Sequence, residues 1–333
     1  YGVKCGNNVV IFSNNDDAYE TALSLHAKGV KIKAIIDIRK ESQGELVKKC
    51  IELGIKIMWK HTIVKAEGHK KINAAVVMKL SNNNNSIIGD KIKISCDLLC
   101  VSSGYTPAVH LFTQSGGKLA FDDKKFYFYP DKTNLDQLCV GACAGIFNLK
   151  KIIQDTYVKV NKYLETNIKN ETIVTDYKTG GFENIWLLPS NKISGKTKSF
   201  VDFQNDSTSN DIKLALREGF KSIEHVKRYT TTGMATDQGK IANMHALGII
   251  SDITKTKMGE LGTTTFRPPF TPLTFGALVG RNVKQFFDIT RETPMHSWHK
   301  NKGAKFEDVG QWKRAWYYPN NNESMHEAVQ RES

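Results

Sequence analysis

The fold is decided by residues 9–40, VVIFSNNDDAYETALSLHAKGVKIKAIIDIRK. An apolar run, a turn, an amphipathic stretch and a second apolar run follow one another, which is the order of a nucleotide-binding βαβ unit. Gly29 stands where a helix C-cap glycine belongs. We predict strands at Val9–Phe12 and Ile32–Ile38, and between them a helix over Asp16–Lys28 with an inward face of Ala18, Ala22 and Leu25.

The turn of this unit lacks the glycines of the G-x-G-x-x-G fingerprint, because residues 13–18 are SNNDDA. Those glycines let a backbone approach a pyrophosphate, which the helix N-terminus attracts. Asp16 and Asp17 would instead cap the helix and repel a phosphate. We therefore expect the unit to keep its fold without binding a dinucleotide tightly at its own turn. Asp37 stays open as an acceptor for a ribose.

Strand and helix alternate over the first part of the chain, which predicts a mostly parallel sheet. The further predicted elements are a helix over Glu45–Leu53 closed by Gly54, a strand at Ile55–Trp59, a hairpin of Ile72–Leu80 and Lys91–Val101, a strand at Asp136–Val140, and a helix from about Leu149.

A polar, then aromatic connector is expected over Asn167–Leu188, followed by two helices. The first is capped among Asp206–Ser209 and carries Ile212, Leu216, Phe220 and Ile223 on one face. The second begins near Asp237 with Ile241, Met244 and Leu247 inward. The stretch TTTFRPPFTPLTFG, residues 263–276, is expected to be extended, because residues before proline avoid the helical region.

Composition is that of a soluble globular protein, with 40% hydrophobic and 24% charged residues among 333. This length suffices for two domains. No apolar run reaches the roughly 18 residues of a membrane span, and the start YGVKCGNNVV lacks a signal-peptide layout. The net charge is +13, but lysine is scattered among Asn and Ile, a pattern that AT-rich codons explain. We predict no nucleic-acid or membrane partner, although the charge would attract anionic ligands.

No metal site is predicted. The six cysteines form no C-x-x-C and lie on or beside apolar runs, which favours packing in a reducing cytoplasm. His296 and His299 lack a third ligand at fixed spacing and are assigned a structural role. Glu307 and Asp308 are adjacent and are expected in a solvated turn. The segment Met234–Lys240 could hold a phosphate through Lys240 or cap a helix through Asp237, and we favour the cap.

Three segments together resemble a known family. They are residues 201–240, VDFQNDSTSNDIKLALREGFKSIEHVKRYTTTGMATDQGK; 262–281, GTTTFRPPFTPLTFGALVGR; and 293–319, TPMHSWHKNKGAKFEDVGQWKRAWYYP. They resemble the α subunit of heterotetrameric sarcosine oxidase, and the resemblance covers nearly all of the chain. Large subunits of related N-methyl amino-acid dehydrogenases share the layout and are the nearest alternative.

The resemblance implies a chemistry shared among several subunits. Sarcosine, the small-molecule substrate, would be oxidatively demethylated at an FAD on the β subunit. Electrons would pass to an FMN shared between the α and β subunits, then to oxygen, which gives hydrogen peroxide. The α subunit would hold NAD and pass the one-carbon unit to tetrahydrofolate. The partners implied are the β, γ and δ subunits. No catalytic residue is assigned to this chain.

The resemblance also implies the site residues. Gly141, Ala142, Phe147 and Leu149 would line a wall of the NAD site, although a routine strand–helix corner is the alternative. Hydroxyls and a guanidinium suit a phosphate or a flavin edge. Thr263, Thr264, Thr265 and Arg267 are therefore candidates for the flavin-facing boundary, and an interdomain tether with an ordinary ion pair at Arg267 is the alternative.

The expected fold class is α/β: a Rossmann-like domain of the pyridine nucleotide-disulfide oxidoreductase type, a small helical domain and an extended C-terminal segment. The expected domains are a partial NAD(FAD)-type oxidoreductase domain at 1–165, a linker and helical domain at 166–260, and at 261–333 the entry to a folate-binding aminomethyltransferase-like domain whose body is absent. An internal fragment or split-gene piece is expected. A scaffold without a cofactor and an independent disulfide oxidoreductase remain alternatives.

Overall fold

The computed structural model describes residues 2–169, 174, 180–189 and 198–333. It divides into two compact units, residues 1–270 and 271–333. The connector prediction falls partly on residues 170–173 and 175–179, which lie outside the described residues. The elements of the α/β part are β1 (Asn8–Ser13), α1 (Asp17–Ala27), β2 (Lys31–Asp37), α2 (Glu45–Glu52), β3 (Ile57–Trp59), β4 (His61–Gly68), β5 (Ile72–Leu80), β6 (Ile87–Ser95) and β7 (Leu98–Ser102).

A parallel sheet in the order β3-β2-β1-β7 forms the centre of this part, as the alternation of strands and helices predicts. Successive side chains of a strand point to opposite faces, so each face has its own core. Val9, Ile11 and Ile35 pack with Tyr19 and Val47 of the two helices. Val10, Ala34 and Ile36 pack on the opposite face against a second sheet. The predicted helix bounds and inward residues Ala18 and Ala22 are confirmed.

The second sheet is an antiparallel meander in the order β4-β5-β6. It corrects the expectation of one long strand over Lys91–Val101. The chain leaves the meander after Ser95, and Cys96 and Asp97 turn it into the parallel sheet, where β7 pairs with β1. Asp97 fixes this turn because its carboxylate accepts from the backbone N–H groups of Asn7 and Asn8 at 2.9 and 2.7 Å.

The chain then forms α3 (His110–Gln114), a hairpin of β8 (Lys118–Asp122) and β9 (Tyr127–Lys132), a 3-10 turn at Gly141–Ala144 and α4 (Leu149–Tyr163). The helix from Leu149 is confirmed. The predicted strand at Asp136–Val140 is wrong, because these residues are irregular and run into the 3-10 turn.

The helical part holds β10 (Phe200–Asp202), β11 (Ser207–Thr208), α5 (Ser209–Arg217), α6 (Ile223–Thr230), α7 (Ala242–Thr254) and α8 (Met258–Leu261). The predicted cap is confirmed at Thr208, which forms a capping box with Asp211. The single predicted helix is two, because Gly219 turns the chain at φ +96°. The next helix begins later than expected, and Ile241 is 67% exposed rather than inward.

The second unit holds α9 (Phe275–Val279), a 3-10 stretch at Arg281–Phe286, β12 (Arg291–Glu292), α10 (His296–Asn301), β13 (Lys305–Val309), β14 (Trp312–Tyr317) and α11 (Met325–Glu332). Of residues 263–276, which were expected to be extended, 263–274 are irregular and 275–276 begin α9. Glu307 and Asp308 lie on β13 rather than in the expected turn, and they pair with Arg314 and Lys313 on β14. His296 stacks on Phe306, and His299 bonds the Tyr318 hydroxyl. In the described part of the chain, none of the helices has the length and apolar composition needed to cross a bilayer.

Candidate functional sites

A buried ion network closes the C-terminal edge of the parallel sheet, where open α/β sheets usually bind ligands. Asp16 follows β1, and Arg39 follows Asp37 at the end of β2. Nη1 of Arg39 lies 2.7 Å from Oδ1 of Asp16, and Nη2 lies 2.7 Å from Oδ2 of Asp37. The Arg39, Asp16 and Asp37 side chains are only 4%, 4% and 0% exposed. The Tyr19 hydroxyl donates to Asp37 at 2.8 Å, and the Ser42 hydroxyl donates to Asp16 at 2.8 Å.

The network holds its charges in place. Burial opposes the positive charge of Arg39, but hydrogen bonds and attraction from Asp37 and Asp16 outweigh it, so the pKa of Arg39 is raised. Burial and the negative charge of Asp37 raise the pKa of the Tyr19 hydroxyl. The guanidinium also lies 5.9 Å from the Tyr19 ring centre and 6.0 Å from that of Trp59. Two carboxylates and two aromatic rings therefore define one position for Arg39.

The buried and acidic side chains of this turn oppose the binding of a dinucleotide. The suggestion that Asp37 accepts a ribose is wrong, because its carboxylate is buried and bound to Arg39 and Tyr19. The suggestion that Asp16 caps α1 is also wrong, since its side chain makes no capping bond and is held by Arg39 and Ser42. The carboxylates of Asp17 and Glu20 further oppose a phosphate at the first turn of α1. The absence of tight binding at this turn stays a prediction, which the geometry supports.

The predicted NAD wall surrounds the 3-10 turn before α4. Gly141 is buried and has φ +66°, a conformation that favours glycine. Ala142 is exposed, and so is Leu149 at the start of α4. Phe147 is 42% exposed and contacts the rings of Tyr105 and Tyr127. The four predicted residues thus lie between the 3-10 turn and the first residue of α4, and three of them are exposed to solvent.

The start of α4 has the charge that a phosphate requires. Its first turn holds no acidic residue and carries the exposed Lys150 and Lys151. The Asn148 side chain caps the helix by accepting from the Lys151 N–H at 3.0 Å. Helix dipole and lysines therefore act together, in contrast to the acidic start of α1. These residues fit the phosphates of a dinucleotide.

The predicted flavin boundary is pinned to its surroundings mainly through backbone. Gln238 binds the Arg267 N–H at 2.9 Å and donates to the carbonyls of Arg267 and Pro269 at 2.9 and 2.8 Å. Gln114 donates to the Phe266 carbonyl at 3.3 Å. Lys240 donates to the Phe270 carbonyl at 2.9 Å. The segment is therefore held in a defined path while the Arg267 residue stays exposed.

The three threonines of this boundary differ in exposure. Thr264 is 6% exposed, whereas Thr263 and Thr265 are exposed. The Thr265 N–H donates to Glu224 at 3.3 Å. Two hydroxyls and the Arg267 guanidinium are thus available to an anionic or flavin ligand, and Thr264 faces inward.

The turn at Met234–Lys240, MATDQGK, binds the backbone of residues 267–270. Asp237 does not cap α7 as favoured, because the helix begins at Ala242 and the Asp237 carboxylate accepts from the Gly239 N–H at 3.2 Å. The Lys240 ammonium lies 4.1 Å from the Phe270 ring centre, and His110 stacks on the same ring at 3.8 Å. Burial and the Lys240 charge lower the pKa of His110. The turn therefore holds Phe270 in place.

Sequence reasoning missed Arg39 and Tyr19 as members of a polar network. One signal was local: Asp37 at the end of β2 is followed two residues later by Arg39, which can pair with it. The long-range partners carry no such signal.

Comparison with known proteins adds the family context. Residues 196–281 match the model of the sarcosine oxidase A3 domain. The chain is 36% identical over 343 aligned residues to sarcosine oxidase subunit alpha of Corynebacterium sp. (strain P-1), covering 100% of this chain and 35% of that protein. It is 33% identical over 350 residues to the subunit of the same name from Rhizobium meliloti (strain 1021), covering 100% of this chain and 33% of that protein.

One solved structure supports the fold. L-proline dehydrogenase from P. horikoshii superposes with a TM-score of 0.51 at 16% identity, covering 83% of this chain and 50% of that one. The α/β, Rossmann-like fold expected from the sequence is confirmed. The chain spans about a third of the length of the curated relatives it matches. The resemblance noted in the sequence is confirmed along its whole length: the chain is similar to a segment of sarcosine oxidase α subunits that includes the A3 domain.

Proposed function

We propose that the chain acts as part of the α subunit of a heterotetrameric sarcosine oxidase. The enzyme would oxidatively demethylate sarcosine to glycine at a flavin, transfer the one-carbon unit to tetrahydrofolate and produce hydrogen peroxide in the cytoplasm. The observation that carries this proposal is similarity over 100% of the chain to proteins named sarcosine oxidase subunit alpha.

Within that enzyme, residues 141–149 would supply a wall of the NAD site. The support is electrostatic, because the α4 start combines a helix dipole with Lys150 and Lys151, and Ala142 of the preceding 3-10 turn is exposed. When NAD is bound, the residues of this turn would hold its phosphates. The chain's own part is to present backbone N–H groups and two cations, and to keep the turn compact through Gly141.

Thr263, Thr265 and Arg267 would face the FMN shared with the β subunit, whereas FAD would lie on β and tetrahydrofolate on a folate-binding domain. Gln238 and Lys240 support this role by fixing the backbone on both sides of Arg267. The guanidinium would then reach an anionic group without a large loss of conformational freedom.

The test uses the assembled enzyme, with the complete α subunit co-expressed with β, γ and δ. We expect sarcosine-dependent oxygen uptake with stoichiometric peroxide. We expect Arg267→Met to lower the flavin retained per complex, while Arg217→Met, which alters another exposed arginine, leaves it unchanged. Turnover with an artificial acceptor but not with oxygen would favour the related dehydrogenase. Assembly without sarcosine turnover or bound flavin would contradict the proposal.

A further inference from the structure

The crevice at the C-terminal edge of the parallel sheet is filled by the chain itself. In open α/β folds a ligand binds where neighbouring strands lead to opposite sides, here between β1 and β7. Asn14 follows β1 and Ser103 follows β7, and the Asn14 amide donates to the Ser103 carbonyl at 3.5 Å. Asn14, Asn15 and Asp16 are all buried, at 6%, 7% and 5% exposure. Exposed turn residues would be expected if this edge were an open site.

The covering segment is Gly180–Glu183, which comes from more than 140 residues further along the chain. The Gly180 N–H donates to the Asp16 carboxylate, and the Gly181 carbonyl accepts from Arg39 at 2.7 Å. The Glu183 N–H donates to the Asn14 carbonyl at 3.3 Å. Three backbone groups of one segment are therefore bound by the residues that follow β1 and β2.

Two side chains of the segment extend the contact. The Glu183 carboxylate lies 3.3 Å from the Lys60 ammonium and accepts from the Asn84 amide at 2.9 Å. The Phe182 ring lies so close to Gly104 that a Cβ there would stand 2.8 Å from it. Gly104, which has φ +102°, thus gives both the turn and the space that Phe182 needs.

The same segment continues into the helical part. Ile185 packs with Ile38, Met78 and Leu80 beside the meander. Trp186 packs in the core that contains α5, α6 and α7, and its carbonyl bonds Nε2 of His245 on α7. Residues 180–186 therefore connect the ligand edge of the sheet to the helical core.

We propose that Gly180–Glu183 is a permanent internal ligand of this nucleotide-type fold. It takes the place of a pyrophosphate, and its binding couples the sheet to the helical core. Arg39 is a positioning residue in this arrangement, because its guanidinium joins Asp16 and Asp37 to the Gly181 carbonyl. The inference does not depend on the proposed enzyme activity, because it concerns a turn at which that activity places no cofactor.

Two adjacent glycines provide a matched test. A Cβ on Gly180 would stand 1.9 Å from the Ser42 hydroxyl oxygen and within 3.0 Å of both Asp16 carboxylate oxygens. Moving Ser42 aside would break its own bond to Asp16. A Cβ on Gly181 meets nothing within 4 Å. Gly180→Ala should therefore release the segment, and Gly181→Ala should not.

The measurement is hydrogen exchange followed by mass spectrometry on the chain and its variants. For Gly180→Ala we expect exchange over residues 180–187 to be about tenfold faster, with β1 as protected as in the parent. Gly181→Ala should match the parent. Equal exchange in both variants would overturn the proposal. If Gly180→Ala also loses protection in β1, Glu183→Ala serves instead, and unchanged exchange over 180–187 in that variant would overturn the proposal.

Nucleotide footprinting on the assembled enzyme gives an independent arm. With NAD as the probe, we expect unchanged exchange over residues 8–20 and slower exchange over residues 139–152. Protection of residues 8–20 would overturn the internal-ligand proposal. Failure to protect residues 139–152 would count against the proposed NAD wall instead, so the two failures are distinguishable.

Discussion

Nη1 of Arg39 lies 2.7 Å from Oδ1 of Asp16 at the turn where a nucleotide-binding fold would hold a pyrophosphate. The same nitrogen donates to the Gly181 carbonyl at 2.7 Å. The Arg39 cation therefore joins two buried carboxylates and a backbone carbonyl at this turn. The chain's own groups fill this turn, which agrees with the absence of the phosphate-binding glycines from residues 13–18.

Removing the Arg39 charge should destabilise the α/β part strongly. Arg39→Met leaves Asp16 and Asp37 buried without a cation, which we expect to cost about 3–5 kcal/mol of unfolding free energy. Urea denaturation followed by fluorescence measures the change. Arg39→Lys should recover only part of the loss, because one ammonium cannot reproduce the fork that reaches three acceptors.

The matched control for this prediction is Arg217→Met. The Arg217 side chain is 76% exposed, and its ion pair with Glu218 is long, at 3.9 Å. We expect a change within about 0.5 kcal/mol there. Equal stability of Arg39→Met and the parent would show that the buried network contributes nothing.

The order β1-α1-β2-α2-β3 could be predicted from sequence because its signals are local. Apolar runs, helical spacing and the glycines at 29 and 54 lie within a few residues of the structure they specify. Strand β4 was missed because a register shift between Ile63 and Lys65 interrupts the alternation of polar and apolar residues. The irregular segment at 136–140 was mistaken for a strand because it ends in an apolar run.

The residues of the candidate sites also differ in how far they could be predicted from local sequence. Gly141 and Ala142 were proposed from the family resemblance, and the structure places both in the 3-10 turn that precedes α4. The Arg39 network could not be found, since its acceptor Gly181 is 142 residues away and becomes a neighbour only in the folded chain. Long-range partners of this kind leave no periodic pattern in a single sequence.

The capping box at the start of α5 should have a measurable effect on stability. Thr208 accepts from the Asp211 N–H, and Asp211 accepts from the Thr208 N–H at 2.7 Å. Thr208→Ala should therefore cost about 1 kcal/mol in thermal or urea unfolding. Ser222→Ala is the control, because Ser222 stands at the start of α6 without a side-chain capping bond. Equal losses in both variants would contradict the role of the box.

The helical core should not tolerate a side chain at position 248. A Cβ on Gly248 would stand 2.0 Å from the Trp186 ring, so Gly248→Ala should displace the indole and cost about 1–3 kcal/mol. Trp186 fluorescence and urea unfolding would report the change, with Gly181→Ala as the neutral substitution. An unaltered emission maximum and midpoint would show that Trp186 does not pack there.

Stability should fall in mild acid because of His245. Burial lowers the pKa of His245 below its ordinary 6.5, although its bond to the Trp186 carbonyl acts in the opposite direction. Above about pH 6.5 the His245 ring is neutral in both the folded and the unfolded state, so its packing contributes fully to the free energy of unfolding. As the pH falls towards the folded pKa, the unfolded state binds more protons and stability is lost. His245→Gln should reduce this loss between about pH 7.5 and about pH 5.5 in urea titrations. If the unfolding free energy of His245→Gln fell with pH as steeply as that of the parent, the loss would come from other groups.

The most direct test of the account is NAD affinity of the assembled enzyme carrying Ala142→Trp. Ala142 is exposed in the 3-10 turn that precedes α4, so an indole there would block a cofactor without disturbing the core. We expect NAD binding, measured by calorimetry, to weaken at least about tenfold, a loss of about 1.4 kcal/mol. Ala27→Trp, at another exposed alanine, should bind as the parent does. Undiminished NAD binding by Ala142→Trp would contradict the account.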